Sequence, residues 1–329
     1  MKLALAIALL IHTIPDTPLI EKTRRGQALN FDLVIENRGA APLELTRIEA
    51  TVLGANDTLI AQKRLQSNGD SIATIPNRKV DAGKTLVVFN PFEFEPDLDL
   101  RTIRYDLEFG DEKASVTLHP RVYETKTDLI LPIRGRLLVH DGHDLYAHHR
   151  RLDITGDMTT ALGIRENMMR YAYDFVAIDA QGHMLPGIGT PILATGSGTV
   201  VAAANDREDN TPTQRAPLEF ADVLKDLTRI LGNYVVIDHG NGEFSVFAHM
   251  KRGSVVVKAG DRVKQAQKIG EMGFSGDAMF PHLHYQLQRD AKYGEGLPSA
   301  FSRFKLLTGA SWTQVKRGTV DSGDVVESR

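Results

Sequence analysis

The stretch Gly270–Gln288, GEMGFSGDAMFPHLHYQLQ, decides how this chain is read, because Pro281-His282-Leu283-His284 at its centre opens a strand-like run. Side chains at i and i+2 leave a β-strand on the same side, so His282 and His284 face one small volume. In such a pair one imidazole can hold a metal while the other moves protons beside it, which is a pattern for zinc-assisted hydrolysis. On its own, His-x-His also occurs as a buried, hydrogen-bonded pair. Upstream, Gly232–Met250, GNYVVIDHGNGEFSVFAHM, reads as two alternating strands around an Asn241-Gly242 turn, and the second ends in His249. Three histidines therefore converge by pattern.

The rest of the composition narrows the chemistry. A chain of 329 residues is long enough for two domains, and 42% hydrophobic with 25% charged residues is ordinary for a globular protein. A net charge of −3 gives no reason to expect a polyanion, so nucleic acid is not an expected partner. Without cysteine there is no disulfide framework and no thiolate site, and a metal must be held by His, Asp or Glu. The opening run MKLALAIALLI carries one lysine before an apolar stretch too short to span a bilayer. It fits a secretory signal over residues 1–16, hence a periplasmic or secreted location, although no Ala-x-Ala site follows. The competing reading is a buried first strand; the helix preference of Ala and Leu favours the signal.

Residues 17–125 repeat short alternating runs, ALNFDLVIEN, LTRIEATVL, KTLVVFNPFEF and IRYDLEFG among them, separated by Gly, Asn, Asp and Pro. This spacing predicts an immunoglobulin-like β-sandwich that positions or binds, offering a route to a membrane or envelope partner. Glu124–Pro132 reads as a connector. From 131 to 298 strand-like runs joined by glycine turns predict an antiparallel β domain. Leu218–Leu231 carries the one strong helical period. With the polar loop 205–217 before it, that segment is expected to be a short insertion rimming a groove or lying on the surface. Residues 299–329 are expected to form an extension whose last dozen residues are disordered.

These motifs together resemble the LytM/lysostaphin-type zinc metallopeptidases, which cleave peptide cross-links of peptidoglycan. The resemblance runs from about Asp174 to Gln288 and rests on GTPILATGSGTV, GNYVVIDHGNGEFSVFAHM, VKAGDRVKQAQKIGEMGFSG and PHLHYQLQ in that order. It implies a mainly β fold with zinc on the floor of a groove and peptidoglycan peptide stems as substrate. It implies further that Asp174 and His284 are zinc ligands and that His282 and His249 are catalytic. The family's His-x-x-x-Asp motif fails here, since Arg170 stands four residues before Asp174. Arginine stays protonated and offers no lone pair. The upstream YAHHRRLD supplies the replacement: His149 is the preferred third ligand, His148 the alternative, and Arg170 is expected to orient Asp174.

The remaining histidines are given other roles. His239 beside the turn is read as structural, His183 stands alone, and His140 and His143 with Asp141 and Asp144 are read as a polar loop. The sequence thus predicts a zinc endopeptidase acting on peptidoglycan. The alternative is a non-catalytic cell-wall-binding or regulatory protein with a degenerate site. A biotinyl-like carrier is set aside because no lysine occupies the exposed turn such a carrier needs.

Overall fold

The computed structural model describes residues 9–214, 216 and 218–328, in two compact units divided between Tyr123 and Glu124. In the first unit, strands obey the period-2 rule: along Ile103–Phe109 the apolar Ile103, Tyr105, Leu107 and Phe109 are buried while Arg104, Asp106 and Glu108 are not. That strand sits between Arg47–Leu53 and Glu112–Leu118 in a four-stranded antiparallel sheet completed by Leu59–Gln66. A second sheet pairs Leu9–Ile14, Asp32–Asn37 and Thr85–Phe89, and its Leu33, Ile35 and Leu86 share one core with Ile48, Ala50 and Tyr105. Phe31 packs edge-on against the Tyr105 ring at 5.4 Å, and the buried Tyr105 hydroxyl donates to Asn90 Oδ1 at 2.8 Å. Of the run read as a signal, residues 1–8 lie outside the described residues. Leu9–Ile14 instead pairs residue for residue with Asp32–Asn37, so this end of the run is strand in the folded unit.

The second unit is built on one large antiparallel sheet. Its centre is the Leu283–Gln288 strand, flanked by Phe244–Met250 on one side and Tyr173–Ala177 on the other. Beyond these lie Asn233–Asp238 and Gly198–Ala204 on one side, and Gly135–Asp141 on the other. All six residues of the central strand are buried, so both faces are covered. One face carries Leu283, Tyr285 and Leu287 into an aromatic core with Phe247 and Phe301. The other carries His284, Gln286 and Gln288.

Three expectations are corrected. The segment Glu124–Pro132 is no free connector: Leu129 and Leu131 are buried, and the Ile130 amide donates to Thr195 O. The C-terminus is not disordered, since Val325–Ser328 inserts between Gly135–Asp141 and Phe301–Thr308, with Val326 fully buried. Burial of Val326 and two flanking strands satisfy what composition alone read as a polar tail. The predicted helix is shorter and broken: Phe220–Lys225 is α-helical, and Leu227–Leu231 follows as a 3-10 turn. Asp226 makes the break, adopting an extended conformation and accepting the Thr228 amide hydrogen. Among the described residues no helix is long and apolar enough to cross a membrane.

Candidate metal centre

The central strand places His284 opposite Asp174 in register, and Asp174 opposite Asp141 on the next strand, so three potential ligands share one face of the sheet. Three ring nitrogens converge on a single oxygen, Asp174 Oδ1: His284 Nδ1 at 3.2 Å, His149 Nε2 at 3.3 Å and His282 Nε2 at 3.4 Å. Each of these imidazoles has its other nitrogen against a group that only accepts. His149 Nδ1 donates to Gly142 O at 3.0 Å and His282 Nδ1 to Phe280 O at 2.8 Å. Those bonds fix the tautomers and leave a lone pair on each inward nitrogen.

For His284 the tautomer is fixed through a relay along its own strand. Gln288 Nε2 donates to the carbonyls of Asp290 and Lys292, which orients its amide. Its Oε1 accepts from Gln286 Nε2, and Gln286 Oε1 accepts from His284 Nε2 at 2.8 Å. His284 Nδ1 is thereby the lone-pair side. The i, i+2, i+4 spacing that puts all three on one face makes the relay possible.

His249 joins the site through local strain. In a regular strand the residue paired across from His284 is Ala248, and His249 points to the opposite face. His249 instead has φ +58°, at a register irregularity between its strand and Asn233–Asp238. Such a bulge re-aims a side chain. Its ring comes within 4.8 Å of His282 and 5.7 Å of His284, and its Nδ1 donates to Ser275 O at 2.8 Å. Burial, reinforced by His282 and His284, pushes the His249 pKa well down. The ring is neutral with a lone pair on Nε2.

Burial works to raise the Asp174 carboxyl, but with the rings protonated the charge and hydrogen bond of His149, with bonds from His282 and His284, hold it well below its usual range, while burial pushes the His149 pKa itself down. His282 is shifted the other way: burial would lower it, yet Asp174 raises it. The residues fit a divalent cation. His149 Nε2 is buried without an aligned hydrogen bond, although it lies beside Asp174. Without a cation, at least one ring needs an extra proton to face that oxygen; a cation takes up the lone pairs of the rings that hold it and leaves a remaining ring able to exchange a proton. Imidazole and carboxylate donors, with no thiolate, are suited to zinc.

The structure separates the neighbours that sequence could not. His149 is fully buried at the site, whereas the His148 side chain is 65% exposed and pairs with Asp141. That hydrogen bond to Asp141 raises the His148 pKa. Asp141, read as part of a polar loop, is a member of the ligand-capable group with His148, His149 and Asp174. Only its register opposite Asp174 reveals it. His140 stacks on Phe280, and His143 packs between Tyr171 and Tyr173. His239 bonds Ser197 O and Ser245 Oγ, away from the cluster, and His183 pairs with Asp179 at the surface. Arg170 forms a fully buried ion pair with Glu295; the charge and hydrogen bonds that set the Asp174 carboxyl come from the histidines.

Residues 180–295 match the model of peptidase family M23, a span that includes His249, His282 and His284 and begins after His149 and Asp174. The chain is 35% identical over 100 residues to peptidoglycan DD-endopeptidase ShyA of Vibrio cholerae, covering 30% of this chain and 18% of that protein. It is 34% identical over 99 residues to ShyC of the same organism, covering 30% and 17%. The matched part is thus less than a fifth of either relative. Among solved structures, the catalytic domain of lysostaphin from Staphylococcus simulans aligns at 25% identity over 41% of this chain and 79% of that one, with a TM-score of 0.28. The second unit of this chain contains a peptidase M23 domain of the LytM type.

Proposed function

We propose that this protein is a zinc endopeptidase that hydrolyses peptide cross-links of peptidoglycan in the cell envelope, with zinc held by His149, Asp174 and His284. The observation that carries it is the convergence of inward lone pairs on one buried carboxylate, each imidazole fixed from behind by a protein acceptor. The relatives named as peptidoglycan DD-endopeptidases support the substrate. When bound, zinc supplies Lewis-acid polarisation of a carbonyl and makes water acidic near neutrality.

The chain's own residues do the rest. His249, neutral and with Nδ1–H committed to Ser275, presents Nε2 as a proton acceptor. His282 presents Nε2 to the same volume, so either ring can take the proton of the attacking water and return it to the leaving amine within the buried site. Asp174, His149 and His284 would hold the cation beside these two rings. On the same face of the sheet, Val246, Gln286 and Gln288 line a cavity of ≈ 290 Å³ closed by Leu227, Ile230 and Leu231 of the insertion. This supports the insertion as a rim of the substrate groove. The first unit, whose sheets share one core, fits an immunoglobulin-like sandwich that spaces or docks the enzyme in the envelope.

The test is incubation of the zinc-loaded chain with purified peptidoglycan, followed by mass analysis of released fragments. New amine termini that vanish on chelation, return with zinc and are absent with His249→Ala are expected. Co-sedimentation with peptidoglycan without any cleavage would replace this reading by that of a binding protein.

A further inference from the structure

The arginine that occupies the missing ligand's place and the histidine that replaces it are joined in the core. Arg170 Nε donates to Glu295 Oε1, and both side chains are at most 1% exposed. The other oxygen of Glu295 accepts the Asn167 amide hydrogen at 3.3 Å, and the Asn167 carbonyl accepts the amides of Arg170 and Gly296, each at 3.1 Å. A Cβ on Gly296 would lie 2.7 Å from Met168 O, so glycine there lets the Glu295 segment press against the 167–170 turn. The fully buried Asn167 side chain then reaches the other way: its Nδ2 donates to His149 O at 2.9 Å and to Arg150 O at 3.4 Å, while its Oδ1 accepts from Met169.

His149 is therefore held at two points, its ring by Gly142 O and its backbone by Asn167. The second hold matters because His149 lies in a 3-10 turn of three residues, His149–Arg151, outside the sheet that fixes Asp174 and His284. A turn that short has few bonds of its own to set the ring's position. Its placement to within a few tenths of an ångström must come from outside the turn.

We infer that Asn167, clamped by the Arg170–Glu295 ion pair, is a positioning residue for His149 as a metal ligand, so that the arginine in the vacated ligand place supports the relocated ligand. This rests on the proposed role of His149. A buried ion pair is a rigid but costly element. Here it fixes the turn that carries Asn167 and, through one amide, the turn that carries His149.

The test is zinc affinity of the full chain, measured by competition with a chromophoric chelator, for wild type, Asn167→Ala, His149→Ala and the double variant. Loss of an outer positioning bond weakens metal binding by about 10–100-fold, and that loss is expected for Asn167→Ala. In the His149→Ala background the same substitution is expected to change affinity less than about threefold, because its effect runs through His149. Equal weakening in both backgrounds would mean general damage and would overturn the inference, as would unchanged affinity in a folded Asn167→Ala protein. Should Asn167→Ala not fold, Asn167→Ser keeps a short side chain able to accept from Met169 but too short to reach His149 O; affinity like wild type would equally overturn it. If His149→Ala itself binds zinc like wild type, the ligand assignment has failed instead, a distinct result.

Discussion

On the proposed assignment alanine at His149 removes a ligand, whereas alanine at His148 removes an exposed ring paired with Asp141, so the two neighbours separate cleanly. Structural zinc sites with four protein ligands bind with about 10–16 kcal/mol, which is about 2.5–4 kcal/mol per ligand, or on the order of 10²–10³ in affinity. With free zinc at about 1,000 times the wild-type Kd, binding stabilises the folded unit by about 4.1 kcal/mol. After a loss on the order of 10²–10³ in affinity, the same zinc contributes about 0.4–1.4 kcal/mol. For a unit of about 200 residues each kcal/mol moves the midpoint by about 2–4 °C, so zinc should raise wild type by about 8–16 °C and His149→Ala by about 1–6 °C. His148→Ala should keep the wild-type shift. The assay is scanning calorimetry of chelator-treated protein with and without buffered zinc, with metal content measured by plasma emission. An undiminished shift in His149→Ala, or an equal loss in His148→Ala, would refute the ligand assignment.

Further outcomes follow from neighbouring parts of the structure. His249→Ala should lower kcat by about 10²–10⁴-fold with zinc content unchanged, since the role proposed for His249 is proton transfer; loss of zinc together with activity would argue that it is a ligand instead. Glu295→Gln removes the carboxylate that faces the buried Arg170 charge and should cost about 3–5 kcal/mol in urea unfolding, part of which Arg170→Met in the same chain should restore. His239 gives a pH signature away from the metal. Burial lowers its folded pKa below the unfolded value of about 6.5, so below that pH the unfolded chain takes up a proton that the folded one refuses. Stability then falls with decreasing pH from about 6.5 down to the folded pKa, by up to about 1.4 kcal/mol per pH unit, and is unaffected above. His239→Gln should flatten that limb in urea titrations at several pH values, and a slope unchanged from wild type would count against it.

Much of the site was legible in local pattern because strand geometry is local. Alternation put His282 and His284 on one side before any tertiary contact was known, and the same period predicted both β units. The lack of cysteine dictated a site of histidine and carboxylate. Glycine-bounded strands and the order of motifs carried the resemblance. What alternation cannot supply is a departure from itself. It assigns Ala248 to the metal face and His249 to the other, and only a left-handed residue at a bulge reverses that. Nor can it choose between His148 and His149, which differ by one position in a short turn and by almost complete burial in the fold.

Asp141 enters through cross-strand register with Asp174, and Arg170 takes as partner a glutamate 125 residues away. The C-terminal strand exists because two other strands offer it unsatisfied backbone groups, a property of the sheet and not of the polar tail. By itself the sequence determined the chemistry available, the β class of the fold and the histidine pair at its centre. The tertiary structure decided which lone pairs meet, because their meeting depends on bulges, register and buried charge pairing between segments far apart in the chain.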